Sequence, residues 1–162
     1  MSSVSAKKGK VVIMGVGNLL LKDEGLGVHV VQMLMERQSP DDIDLEIIDA
    51  GVSSDAFLTM GDVDKLIVVD AVLGGCEPGA VYRFNPDDIE IENEIEVSVH
   101  QWGLLEGLKM MELAGNKPAE TVIIGVEPKA VEWGMDLSPE IESKIPEIIE
   151  LVLSEIYSKR SN

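Results

Sequence analysis

Cysteine is nearly absent: Cys76 stands alone among 162 residues. No internal disulfide can form, and a reducing compartment is the expectation. Aromatic residues make up only 4% of the chain, which leaves the core to Val, Ile, Leu and Met. Histidine occurs twice, so any imidazole chemistry rests on His29 or His100. Positive charge is also scarce, with 13 Lys and Arg against 30 Asp and Glu and a formal net charge of −17. Phosphate binding needs clustered cations, so this balance argues against nucleic acid and against an anionic membrane surface. No apolar run approaches the roughly 18 residues that span a bilayer. The polar lead over 1–9 carries lysines but no apolar segment behind them, unlike a secretory signal. The expectation is a cytoplasmic protein, and a basic polypeptide segment or a metal-bearing partner stays compatible with its charge.

What the chain does have is hydrophobic patterning, at 45% apolar residues. The length suits a single domain, expected over 10–158 after a disordered lead, with 159–162 frayed. Five segments read as strands: Val11–Met14, Leu45–Asp49, Lys65–Asp70, Ala80–Phe84 and Thr121–Val126. The third is nearly all apolar, as strands covered on both faces are. The fourth alternates after a Pro78-Gly79 turn, which marks an edge strand. Helical spacing fills the gaps over Gly25–Arg37, Gln101–Leu113 and Ser138–Tyr157, with a short helix over Ser54–Met60 capped by Ser53 or Ser54. In the last helix Ser138 is the expected cap, and Pro146 is expected to bend it. The acidic stretch from Asp87 to Glu96 reads as a solvated loop. The order β-α-β-α-β-β-α-β-α predicts an α/β fold, a mostly parallel sheet with helices on both faces.

The chemistry concentrates after the first strand, in GVGNLLLKDEGLG from Gly15 to Gly27. Leu20 stands where a dinucleotide fingerprint GxGxxG needs its third glycine, and no Walker sequence occurs. The glycines instead suit a tight turn at Asn18 and close backbone approach. Glu24 ends this turn, Asp70 ends the third strand, and His100 precedes the third helix. In a parallel sheet all three fall at the carboxyl edge, where ligands bind. Two carboxylates and an imidazole can hold a borderline divalent ion such as zinc or nickel, or act as acid and base. Each also has a plain structural role available: Glu24 as an acid in a first helical turn, Asp70 as a turn residue, His100 as a helix-start residue. Cys76 lies among glycines and Glu77, without the positive surroundings a thiol nucleophile needs. His29 is about 140° around the helix from Glu24 and reads as a surface or packing residue.

GVGNLLLKDEGLGVHVV, LIVVDAV, SVHQWGLLEGL and IIGVEP together resemble the hydrogenase maturation endopeptidases, from Lys10 to about Ser154. These enzymes trim the C-terminal extension from the large-subunit precursor of nickel-iron hydrogenases. The resemblance implies a three-layer α/β/α fold with a twisted five-stranded sheet. It implies metal-ligating positions at Glu24, Asp70 and His100, with no organic cofactor. It implies cleavage that waits for nickel insertion, the precursor's nickel being recognised through those ligands. The family is filed with the aspartic peptidases, although an aspartic dyad is two carboxylates sharing a proton. The substrate's nickel would instead polarise the scissile carbonyl or lower the pKa of the attacking water. After the second strand the family carries an Asp-Gly-Gly-Thr turn; here Asp49 and Gly51 are kept while Ala50 and Val52 differ, in a loop expected to read the substrate. With no long apolar seam left over, the expected state is a monomer. Two other classes remain compatible with the residues: a nickel-holding chaperone of the precursor that cuts nothing, and a nucleotide-binding module.

Overall fold

The computed structural model describes residues 9–86 and 99–158, with side chains undescribed at 54 and 99–103. The expected acidic loop from Asp87 to Glu96 and both chain ends lie outside those residues. Five strands form one sheet: β1 Lys10–Val16, β2 Asp44–Gly51, β3 Lys65–Ala71, β4 Val81–Phe84 and β5 Glu120–Val126. The spatial order is β2-β1-β3-β5-β4. Pairings β1–β2, β1–β3 and β3–β5 are parallel, and β4 pairs antiparallel with β5 at the edge. The expected α/β architecture with one antiparallel edge strand is the one found.

The helices are α1 Leu26–Met35, α2 Val99–Leu113, α3 Pro139–Glu142 and α4 Ile145–Tyr157, with 3-10 turns at Lys22–Gly25 and Ser54–Leu58. Side chains alternate across a strand, and the sheet splits its core accordingly. Val11, Ile13, Ile67, Val69, Val122 and Ile124 face α1, α3 and α4. Val12, Met14, Leu66, Val68 and Ile123 face the layer that contains α2 and the Ser54–Leu58 turn. Both faces of β3 are therefore covered, and all seven of its residues are buried. This is why its sequence reads as a continuous apolar run rather than an alternation.

Two details of the expected last helix are corrected. It is not one bent helix but two, α3 and α4, broken at Ser143 and Lys144 with Pro146 in the first turn of the second. A proline there costs nothing, because the first N–H groups of a helix have no partner within it. Ser138 stands at the start of α3 without a side-chain cap bond; its hydroxyl donates to Asp23 instead, at 2.7 Å. The Ser54–Leu58 segment is a 3-10 turn, with the Ser53 hydroxyl oxygen accepting from the Asp55 N–H.

Candidate active site

The connections after β1 and β3 leave the sheet in different directions. β1 leads through α1 to β2 on one side, and β3 leads on to β4 and β5 on the other. The crevice between the carboxyl ends of β1 and β3 is thus the switch point of the sheet, the place where open α/β folds bind ligands. Glu24 follows β1 and Asp70 is the last but one residue of β3, so the topology puts both carboxylates at this crevice.

The glycines of the first loop make that placement possible. Gly17 has φ 148°, and a Cβ there would lie 1.9 Å from the Glu24 carbonyl oxygen. The Asn18 N–H donates to that same oxygen at 3.2 Å. At Gly27 a Cβ would lie 2.1 Å from the Val69 carbonyl oxygen and 2.4 Å from that of Val16. Side chains at 17 and 27 would push the turn away from β1 and β3, and Glu24 with it. The glycines thus serve the tight turn and close approach expected of them.

Asp70 extends the even-numbered row of β3, Leu66 and Val68, that faces the α2 layer. It is only 2% exposed. Its Oδ1 accepts the Ala71 N–H at 2.8 Å, whereas Oδ2 is buried without a hydrogen-bond partner among the described residues. Burial pushes the carboxyl well above the ordinary carboxylate range, against the Ala71 N–H and with the help of the nearby Glu24 charge. An orphaned carboxylate oxygen is costly, and such atoms collect where a ligand completes the set. Glu24 itself is half-buried in the Lys22–Gly25 turn.

His100 is the second residue of α2, and its side chain is outside those described. The far end of α2 leads into Ala119 and Glu120, whose N–H groups bond to Val63 and Asp64 at the amino edge of β3. A 15-residue helix is about 22 Å long, so α2 returns the chain to the carboxyl edge at its first residues. Among the described residues no three His, Cys, Asp or Glu side chains gather as a metal site. The structure therefore puts two of the three expected ligands, Glu24 and Asp70, close enough for the Glu24 charge to act on the Asp70 carboxyl, while the length of α2 lets its first residues, His100 among them, reach back toward that edge. The donor set of two oxygens, one of them buried and unsatisfied, fits a divalent cation.

Around this pair the structure places residues that the sequence did not single out. Asp23, buried, accepts four hydrogen bonds: from the N–H groups of Lys129, Ala130 and Ser138 at 2.9, 2.8 and 2.8 Å, and from the Ser138 hydroxyl. Burial opposes its ionisation, but these bonds prevail and hold it below the ordinary carboxylate range. Asp23 thus clamps the loop after β5 onto the turn that carries Glu24. Glu127 accepts from the Gly74 and Gly75 N–H groups and from the Tyr82 hydroxyl, fixing the loop after β3. Both roles depend on partners more than 40 residues away, which no local pattern announces.

The other expected residues fall as follows. Asp49 is exposed; its carboxylate accepts from the Gly51 N–H at 3.1 Å and from Gln32 at 3.4 Å. Gly51 has φ 56°, and its carbonyl accepts the Gly17 N–H at 2.8 Å, so this loop abuts the glycine turn. Cys76 is a free, exposed thiol. His29 is half-buried in α1, with its Nε2 shielded and without a partner among the described residues.

The chain is similar to known proteins over most of its length. A hydrogenase-2 maturation protease of Escherichia coli is 31% identical over 147 residues, covering 90% of this chain and 89% of that protein. A putative hydrogenase maturation protease of Methanocaldococcus jannaschii is 35% identical, covering 93% and 98%. The solved structure of the hydrogenase-maturating endopeptidase HybD of E. coli superposes with a TM-score of 0.80 at 31% identity, covering 91% of each chain. The family model described as HycI, hydrogenase maturation protease, matches residues 28–155, and with most of its length matched and its sheet shared, this chain belongs to the hydrogenase maturation proteases.

Proposed function

We propose that this peptidase removes the C-terminal extension of a nickel-iron hydrogenase large-subunit precursor, and that it reads the nickel already seated in that precursor. The observation that carries the reading is the buried Oδ2 of Asp70 at the switch point, without a partner among the described residues. Glu24 supplies a second oxygen from the turn after β1, and His100 a nitrogen from the start of α2. Three ligands from one protein leave positions for those of another, so the set suits a metal that arrives with the substrate. The nickel supplies Lewis acidity at the scissile bond when it is bound. The chain's own part is to fix the precursor's metal against the crevice by two carboxylates, so that the adjoining peptide lies over the same edge. The clamp at Asp23 and the glycine contacts hold those carboxylates in place before the substrate arrives, which limits the reorganisation that binding requires. The net charge of −17 suits a protein substrate that brings a positive metal, which we take to be met in the cytoplasm by a monomeric enzyme; among the described residues no helix is long and apolar enough to cross a membrane.

The test is competition for the three side chains. Zinc or cadmium added to the enzyme should inhibit cutting of the nickel-loaded precursor, and Cys76→Ser should be inhibited to the same degree because the thiol is no part of the site. Undiminished cutting with the enzyme saturated in zinc would show that these carboxylates do not engage the precursor's metal.

A further inference from the structure

Of the eleven exposed large apolar side chains among the described residues, six follow the ends of the parallel strands. Leu20 follows β1, Val52 follows β2, Leu73 follows β3, and Val131, Trp133 and Met135 follow β5. Every parallel strand thus sends an exposed apolar residue to the carboxyl edge, the edge that holds Glu24 and Asp70. The largest is Trp133, at 79% exposed, with Met135 beside it at 62% and Leu20 at 50%.

These three residues lie on two loops joined as a short ladder. Leu21 and Gly134 form a parallel bridge. The Gly134 N–H donates to the Leu20 carbonyl at 2.9 Å, and the Lys22 N–H to the Gly134 carbonyl at 2.8 Å. Lys22 pairs with Glu132 at 2.9 Å, and Asp23 clamps the same loop at Lys129 and Ala130. The indole is therefore held out into water by a tethered backbone. Lys22, which makes two of these contacts, has φ 47°, a conformation unfavourable for a residue with a side chain. A solvated Trp on a tethered loop, with an exposed Met two residues on and an exposed Leu on the paired loop, is the composition of an interface anchor.

We infer that Trp133, Met135 and Leu20 form the docking surface for the precursor polypeptide, gripping an apolar segment of it next to the metal crevice; the inference rests on the function proposed above. Charge selects this occupant over the others an apolar rim could take. A second copy would bring another net charge of −17 against the first, and an anionic lipid surface would be repelled as well. A polypeptide substrate whose metal carries positive charge to Glu24 and Asp70 is attracted by the same field. The rim is also continuous with the crevice, since Leu20 and Glu24 belong to one loop. A peptidase must hold its substrate's backbone while the metal site acts, and contacts outside the reacting centre serve that purpose.

The experiment measures binding of nickel-loaded precursor to immobilised enzyme and, in parallel, steady-state cleavage, for wild type, Trp133→Ala, Trp133→Phe and Leu113→Ala. Leu113 is equally exposed, at 78%, but ends α2 at the opposite edge. Loss of a central aromatic anchor typically weakens binding by about 10–100-fold. Trp133→Ala should show a loss of that size in Kd and KM with little change in kcat, Trp133→Phe should recover most of it, and Leu113→Ala should match wild type. All four should melt at the same temperature. Wild-type affinity in Trp133→Ala, or a wild-type dimer that Trp133→Ala dissociates, would overturn the inference. A precursor that binds through Trp133 but is never cut would leave docking intact and refute the proposed proteolysis instead.

Discussion

At the scale of single residues, Asp70 carries a signature that separates function from stability. Its carboxyl is buried, one oxygen has no partner among the described residues, and burial disfavours the charged form. An amide of the same shape removes that penalty. Asp70→Asn should therefore fold with an unchanged or raised melting temperature, by about 2–4 °C for each kcal/mol gained, while processing of precursor is lost. Circular dichroism melts and a mobility-shift processing assay check the two halves together; wild-type processing in the mutant would remove Asp70 from the site. Asp23 is the reverse case. Asp23→Ala strips partners from three N–H groups and a hydroxyl, so it should cost about 3 kcal/mol, or roughly 6–12 °C in a chain of this size. Urea denaturation gives that cost directly. The contrast shows what was legible at this scale. Asp70 announces itself as an acid closing an apolar strand, and Glu24 as an acid ending a glycine turn. Asp23, adjacent to Glu24, has no local mark, because its partners lie 106 to 115 residues further along.

At the scale of elements, the amino edge of the sheet is tied by one ionic network. Lys65 of β3, 6% exposed, donates to the Glu155 carbonyl of α4 at 2.5 Å and pairs with its carboxylate at 3.3 Å. Glu155 also pairs with Arg83 of β4, and Lys65 lies 3.7 Å from Glu120 of β5. Burial alone would raise the Glu155 pKa, but its bonds to Arg83 and Lys65 prevail and lower it from the ordinary 4.5. A depressed carboxylate stabilises the fold fully above the unfolded-state pKa, and that contribution is lost as pH falls through the folded value. The loss should begin near pH 4.5 and continue below it. Glu155→Gln should cost about 3 kcal/mol at pH 7, because it leaves Lys65 short of a buried counter-charge. It should also flatten the acid limb, which denaturation at pH 7 and pH 4 would reveal. Most elements were legible because strand and helix periods differ. The exception at 138–157 was read as a single helix, since the apolar stripe through Ile141, Ile145 and Ile148 keeps helical spacing across the break. That stripe does face one core, but Pro146 starts a new helix rather than bending an old one.

At the scale of the whole molecule, sheet topology joins distant residues into one site. The strand order β2-β1-β3-β5-β4 makes neighbours of the β1 and β3 ends, 54 residues apart between Val16 and Asp70, and the alternation of strands and helices was enough to anticipate that edge. The apolar rim was not anticipated, because exposure of Trp133 and Leu20 follows from how two loops pair and not from either segment's pattern. If this crevice reads a metal already held by another protein, nickel in the precursor decides cleavage. Intact mass measurement of large-subunit precursor, nickel-loaded and metal-free, after incubation with the enzyme, shows whether it does. The C-terminal extension should be lost from the nickel-loaded form and retained on the metal-free form. Equal loss from both would show that the site does not sense nickel and that cleavage is governed by peptide recognition alone.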